Sequence, residues 1–71
     1  MIRFGIIGAG LMGKRRAQSL TLFSDEAQLA RIMDTDISRA QKLASEFGCD
    51  ATDDVRAILD DASIDAVIIA T

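Results

Sequence analysis

The segment from Ile2 to Gly13, I-R-F-G-I-I-G-A-G-L-M-G, limits the folds open to this chain more than any other stretch. An apolar run with strand character, Ile2 to Ile7, meets Gly8, Gly10 and Gly13, and a helix-forming sequence takes over at Leu11. Strand, tight turn and helix in that order make a phosphate-binding unit. The first glycine permits the turn, the second removes a Cβ where backbone must approach an anion, and the third lets the helix pack close to the strand. The free N–H groups of the helix start and the positive end of its dipole then face negative charge.

The remaining elements alternate. The first helix is expected over Leu11 to Leu22, with Met12, Ala17 and Leu20 turned inward and Lys14, Arg15 and Gln18 outward, and Ser24, Asp25 and Glu26 form the loop after it. A second strand, Gln28 to Met33, delivers Asp34 to its carboxyl end. Asp36 is an N-cap type for a helix in which Ala40, Leu43, Ala44 and Phe47 share one face, and Gly48 stands where a left-handed residue would end it. A weak third strand is expected over Cys49 to Thr52. Thr52, Asp53 and Asp54 are cap types for a short helix that buries Val55, Ile58, Leu59 and Ala62. The run A-V-I-I-A, Ala66 to Ala70, reads as a fourth, buried strand.

This alternation predicts an α/β fold: a partial Rossmann-type parallel sheet of about four strands, in the order 3-2-1-4, with helices on both faces. Stopping at a fourth strand would leave an apolar edge, so residues 1–71 are expected to be the N-terminal part of a larger dinucleotide-binding domain.

Several functions fit the composition poorly. There is one cysteine, Cys49, and no histidine, which argues against a disulfide scaffold and a zinc site, so no metal is expected. The net charge is −3 and only Lys14, Arg15 and Arg16 cluster, which does not make a nucleic-acid footprint. No apolar stretch approaches the roughly 20 residues that cross a bilayer, and the basic cluster follows the apolar run instead of preceding it as in an export signal. No nucleic-acid or membrane partner and a cytoplasmic location are the corresponding expectations.

Asp34 lies about 20 residues past Gly13, at the end of the next strand, where an acid can accept the hydroxyls of an adenosine ribose and repel a 2′-phosphate. This favours NAD over NADP as cofactor, and favours a dinucleotide site over a merely structural glycine turn. Arg39 is near enough in sequence to help a 2′-phosphate, although such an arginine is more often a solvated helix residue. Leu11 and Met12 can pack on the cofactor, and Lys14, Arg15 or Arg16 could reach an anion. Cys49 reads as a small hydrophobe. Asp60, Asp61 and Asp65 read as turn and cap residues, so no general acid or base is nominated. A non-catalytic dinucleotide-binding sensor and a methyltransferase nucleoside site are the alternatives.

Three segments carry a resemblance to a known family: the opening glycine segment, M-D-T-D-I-S-R-A-Q-K-L-A-S-E-F-G from Met33 to Gly48, and I-D-A-V-I-I-A-T from Ile64 to Thr71. Together they resemble the N-terminal cofactor domain of the glucose-fructose oxidoreductase and inositol dehydrogenase (Gfo/Idh/MocA) family. The likeness implies that Gly8, Gly10 and Gly13 hold the pyrophosphate and Asp34 the ribose, and that Ala70 and Thr71 approach the middle of the cofactor. It implies hydride exchange with a sugar, inositol or related polyol, catalytic residues beyond Thr71, and a homo-oligomer when complete. Arg16 stands near a place where family members often carry a histidine.

Overall fold

The computed structural model describes residues 1–22 and 25–70; the expected loop residue Ser24 and the expected cofactor residue Thr71 lie outside the described residues. The elements are β1 (Ile2–Ile7), α1 (Leu11–Leu22), β2 (Ala27–Met33), α2 (Ile37–Phe47), β3 (Asp50–Thr52), α3 (Arg56–Leu59) and β4 (Ala66–Ile69). The four strands form one parallel sheet in the order β3-β2-β1-β4, the order expected by analogy with doubly wound folds.

The register places Ile6 between Ile32 and Ile68, so three isoleucines cross the sheet in a row. Ile6 and Ile32 are fully buried, with Ala17 of α1 and Leu43 and Ala44 of α2 packed on them. Burying one such aliphatic side chain contributes about 1.5–3 kcal/mol. Neighbouring residues of β1 point to opposite faces, and the helices divide accordingly. Ile6 faces α1, whereas Gly5 faces Ile58 of α3. Helices therefore cover both faces.

Gly5 has a packing reason to be glycine. An added Cβ would lie 2.7 Å from Ile58 Cγ2, and Ile58 is fully buried and cannot swing away. Gly5→Ala is expected to cost about 1–3 kcal/mol by overpacking. In a double-mutant cycle read by urea melts, the cost should shrink when Ile58→Ala has first made room; an equal cost in both backgrounds would refute the contact.

The helix signals act as expected in α2. Asp36 is its N-cap, its Oδ1 accepting from the Ser38 N–H at 3.1 Å and the Arg39 N–H at 3.4 Å. Gly48 ends the helix in the left-handed region, φ 67°. Ala40, Leu43 and Ala44 are buried and Phe47 packs on the core.

Four expectations need correction. β2 begins one residue early, at Ala27, because Ala27 pairs with Ile2. β3 loses Cys49, whose N–H closes the end of α2 on the Ala44 carbonyl at 3.1 Å and so is not free for the ladder. α3 is a single turn that buries Ile58 and leaves Leu59 61% exposed. Ala62 falls in the following turn, where Asp61 Oδ1 accepts from the Ser63 N–H at 2.8 Å, so it too stays outside. The N-cap position of α3 is Val55, which makes no side-chain cap hydrogen bond; Asp54, one of the expected cap residues, stands one position earlier and accepts the Arg56 N–H at 2.9 Å. β4 is not buried on both sides: Ile68 packs on the core, but Ile69 is 73% exposed.

Met12 is the remaining departure. It is 43% exposed, because Gly13 and Ala17, one helical turn apart, hold the positions of α1 that face the sheet. No helix among the described residues is long and apolar enough to cross a membrane.

Candidate functional site

The site lies where β1 and β2 end and the chain turns into α1. Gly8 has φ 110°, a conformation that residues with a Cβ rarely adopt, and its N–H donates to the Met33 carbonyl at 2.7 Å. The turn is thereby stitched to the end of the neighbouring strand. Gly13 fills a different need. A Cβ there would sit 1.9 Å from the Gly8 carbonyl oxygen, so only a glycine lets α1 come this close to the turn.

Gly10 has neither reason. Its φ is not positive, and a Cβ placed on it would meet nothing within 4 Å. The space is open because Gly10 forms part of a groove of about 360 Å³ with Gly8, Leu11, Met12, Asp34 and Ala70, and with Arg39 at its margin. The groove opens at the carboxyl ends of β1, β2 and β4, beside the place where the strand order reverses, the usual ligand crevice of such sheets. A smaller recess of about 150 Å³ adjoins it against Ile7, Met33, Asp34 and Thr35.

The start of α1 differs from that of α2 in one respect. α2 has Asp36 to take its first N–H groups, but α1 follows Gly10, which has no side chain to cap with. The Leu11 and Met12 N–H groups have no acceptor among the described residues. Leu11 is 66% exposed, so the groove presents open donors, a helix dipole and apolar surface together.

Asp34 closes the other side. Its Oδ2 accepts the Ala9 N–H at 2.8 Å and its Oδ1 the Asp36 N–H at 2.9 Å. It does not cap α2, since Asp36 has that role. Each carboxylate oxygen keeps a second lone-pair direction for a ligand in the groove. The backbone hydrogen bond from Ala9, then that from Asp36, hold its pKa below the ordinary aspartate value, with a smaller contribution from the Arg39 charge.

A pH dependence follows. A carboxylate whose folded pKa is depressed contributes stability that is fully present above its unfolded pKa, about 4, and is lost as pH falls through the lower folded value. Asp36 is lowered too, chiefly by the Ser38 hydroxyl, and Asp61 by the Ser63 hydroxyl. Melting temperature should therefore fall as pH drops below about 4, and less steeply in Asp34→Asn than in the wild-type protein. Parallel curves would show that Asp34 does not contribute.

Of the residues expected at the site, Gly8, Gly10, Leu11, Met12, Asp34 and Ala70 line the groove. Gly13 lies beneath it as the spacer between α1 and the turn. Arg15 and Arg16 are exposed on α1 and do not line this groove, whereas Lys14 lines a second groove beside Gly10. Arg39, read more readily as a solvated helix residue, stands on both grooves. The cue in the sequence was its place one turn into a helix that starts just after Asp34. Cys49 is half-buried, and burial raises its thiol pKa, which suits a packing role.

Comparison with known proteins agrees with this geometry. Residues 2–71 match the model of the Gfo/Idh/MocA oxidoreductase family, NAD-binding Rossmann fold. The chain is 37% identical to inositol 2-dehydrogenase 2 of Saccharopolyspora erythraea, over 99% of this chain and 21% of that protein. It is 40% identical to the UDP-N-acetylglucosamine 3-dehydrogenase of Acidithiobacillus ferrooxidans, over 99% and 21%. The crystal structure of myo-inositol dehydrogenase from Lactobacillus casei in complex with NAD(H) and myo-inositol superposes with a TM-score of 0.91 at 27% identity, over 100% of this chain and 22% of that one. The chain thus spans about one fifth of the length of these relatives. With glycine turn, uncapped α1, Asp34 and sheet order all in agreement with that match, the chain belongs to the Gfo/Idh/MocA oxidoreductase family, as its NAD-binding Rossmann domain.

Proposed function

We propose that residues 1–71 are the N-terminal, NAD-holding part of a dehydrogenase that acts on a carbinol carbon of a cyclitol, sugar or related polyol. Gly10 carries this reading, because nothing in the fold requires a glycine there and a bound pyrophosphate does. In this assignment Gly8, Gly10 and the open N–H groups of Leu11 and Met12 hold the pyrophosphate. The Asp34 carboxylate accepts from the adenosine ribose. The Leu11 and Met12 side chains pack on the cofactor, and Ala70 and Thr71 approach its middle. Gly13 supports the site by setting the depth of α1. NAD, when bound, supplies a hydride acceptor; what these residues do is fix its position and face. The names of the relatives, an inositol 2-dehydrogenase and a sugar-nucleotide 3-dehydrogenase, support a ring secondary alcohol as the substrate class.

The test is NAD titration of the full-length protein that carries residues 1–71, followed by NADH absorbance with myo-inositol and with UDP-N-acetylglucosamine. Saturable NAD binding and turnover of a ring alcohol are expected. Binding with no turnover of any cyclitol or sugar would replace the enzyme by a cofactor sensor, and tighter binding of S-adenosylmethionine than of NAD would overturn the assignment.

A further inference from the structure

The two peptide units that flank Gly8 are both tied to the end of β2, and by consecutive residues. The Gly8 N–H donates to the Met33 carbonyl at 2.7 Å, and the Ala9 N–H donates to Asp34 Oδ2 at 2.8 Å. The first tie extends the ladder of β1 on β2 by one bond. The second is a side chain reaching from one strand end into the turn after another, where it supports no strand. Asp34 is itself held, because its Oδ1 accepts the Asp36 N–H at 2.9 Å.

The direction of the Gly8–Ala9 peptide matters to an anion. In a trans peptide the N–H and the C=O point opposite ways. With its N–H turned to Asp34, this unit turns the Gly8 carbonyl oxygen to α1, where a Cβ on the buried Gly13 would lie 1.9 Å from it. The oxygen is thereby kept out of the groove that Gly8, Gly10 and Asp34 line. A half-turn of the peptide would bring it round beside Asp34, with its negative end toward a bound phosphate. Gly8, which has no Cβ, resists that rotation less than any other residue type. The carboxylate resists it, since it attracts the Ala9 N–H and repels the carbonyl oxygen.

We propose that Asp34 is a positioning residue for the phosphate-binding turn as well as a ribose ligand: by accepting the Ala9 N–H it latches the Gly8–Ala9 peptide with its carbonyl away from the pyrophosphate. The proposal rests on the dinucleotide reading above. It predicts an effect of unexpected sign. A carboxylate lining the groove repels the pyrophosphate, so an aspartate that only bound ribose would, on removal, leave the affinity for a ligand without ribose hydroxyls unchanged or improved. A latch makes that affinity worse.

The experiment uses the full-length protein that carries residues 1–71, with NAD and its analogue lacking both hydroxyls of the adenosine ribose. Kd is measured for the wild-type protein, Asp34→Ala and Asp34→Ser, each shown to be folded by its melting curve; both substituted side chains are too short to replace the carboxylate at Ala9. Each variant should bind the dideoxy analogue about 10-fold or more weakly than the wild type does, the size of one lost hydrogen bond to a charged group. Equal or tighter binding of the analogue overturns the latch and leaves the ribose role standing. Amide hydrogen exchange supplies a readout that needs no variant: before cofactor is added, the wild-type Ala9 N–H should exchange as slowly as the strand amides of β1, and exchange at the rate of an open amide overturns the latch. Failure of the wild-type protein to bind NAD overturns the dinucleotide reading and the latch with it.

Discussion

Gly13→Ala is expected to remove much of the folded stability of this domain. The added methyl carbon would lie 1.9 Å from the Gly8 carbonyl oxygen and 2.9 Å from its carbon, and both are backbone atoms in a turn tied to β2. A flexible side chain could rotate away from such a contact, but a turn cannot. Relief requires α1 to back off from β1, which opens the packing of Ala17 on Ile6 and Ile32. Overpacking of a side-chain neighbour costs about 1–3 kcal/mol, and a backbone clash belongs at or above the top of that range. A domain of this size has about 4–10 kcal/mol in all. Thermal melts should show a drop of roughly 12 °C or more. A melting temperature within about 2 °C of the wild-type value would mean that α1 is not held at the observed depth.

Gly10→Ala is expected to give the opposite pattern. The methyl group meets nothing in the protein and the backbone is not in the left-handed region, so stability should stay within about 0.5 kcal/mol of wild type. It does, however, project into the groove at the level where the pyrophosphate is assigned. Kd for NAD should rise by roughly 100-fold or more, equivalent to about 2.8 kcal/mol of lost binding. Calorimetry or quenching of protein-bound NADH fluorescence reads this directly. Unchanged affinity would remove the cofactor from Gly10. The two variants together separate the glycine that the fold needs from the glycine that the ligand needs, a distinction that a motif of three glycines does not contain.

Much of the architecture was legible because it is local. The change from strand to helix periodicity, the Asp36 cap and the Gly48 terminator depend on residues within four or five positions of one another. β3 and α3 were read less well for the same reason. Whether Cys49 joins a strand depends on the Ala44 carbonyl competing for its N–H, and whether Leu59 turns inward depends on a helix stopping after one turn. The exposure of β4 was likewise hidden, since A-V-I-I-A reads as buried whatever covers it.

The sequence by itself determined the residue types of the site: a strand ending in three spaced glycines, and an aspartate ending the next strand. It also made a parallel sheet of crossover units readable, with the order 3-2-1-4 following by analogy with doubly wound folds. Only the tertiary structure decided what each residue touches. It placed Gly13 against the Gly8 carbonyl, left Gly10 open, and brought the Asp34 carboxylate onto the Ala9 N–H across 25 residues. It also set Arg39 and Lys42 of α2 across a groove from Lys14 of α1. Periodicity tells which residues of an element share a face. What lies opposite that face is fixed by the packing of two helices on one side of a twisted sheet, and that is not encoded within either helix.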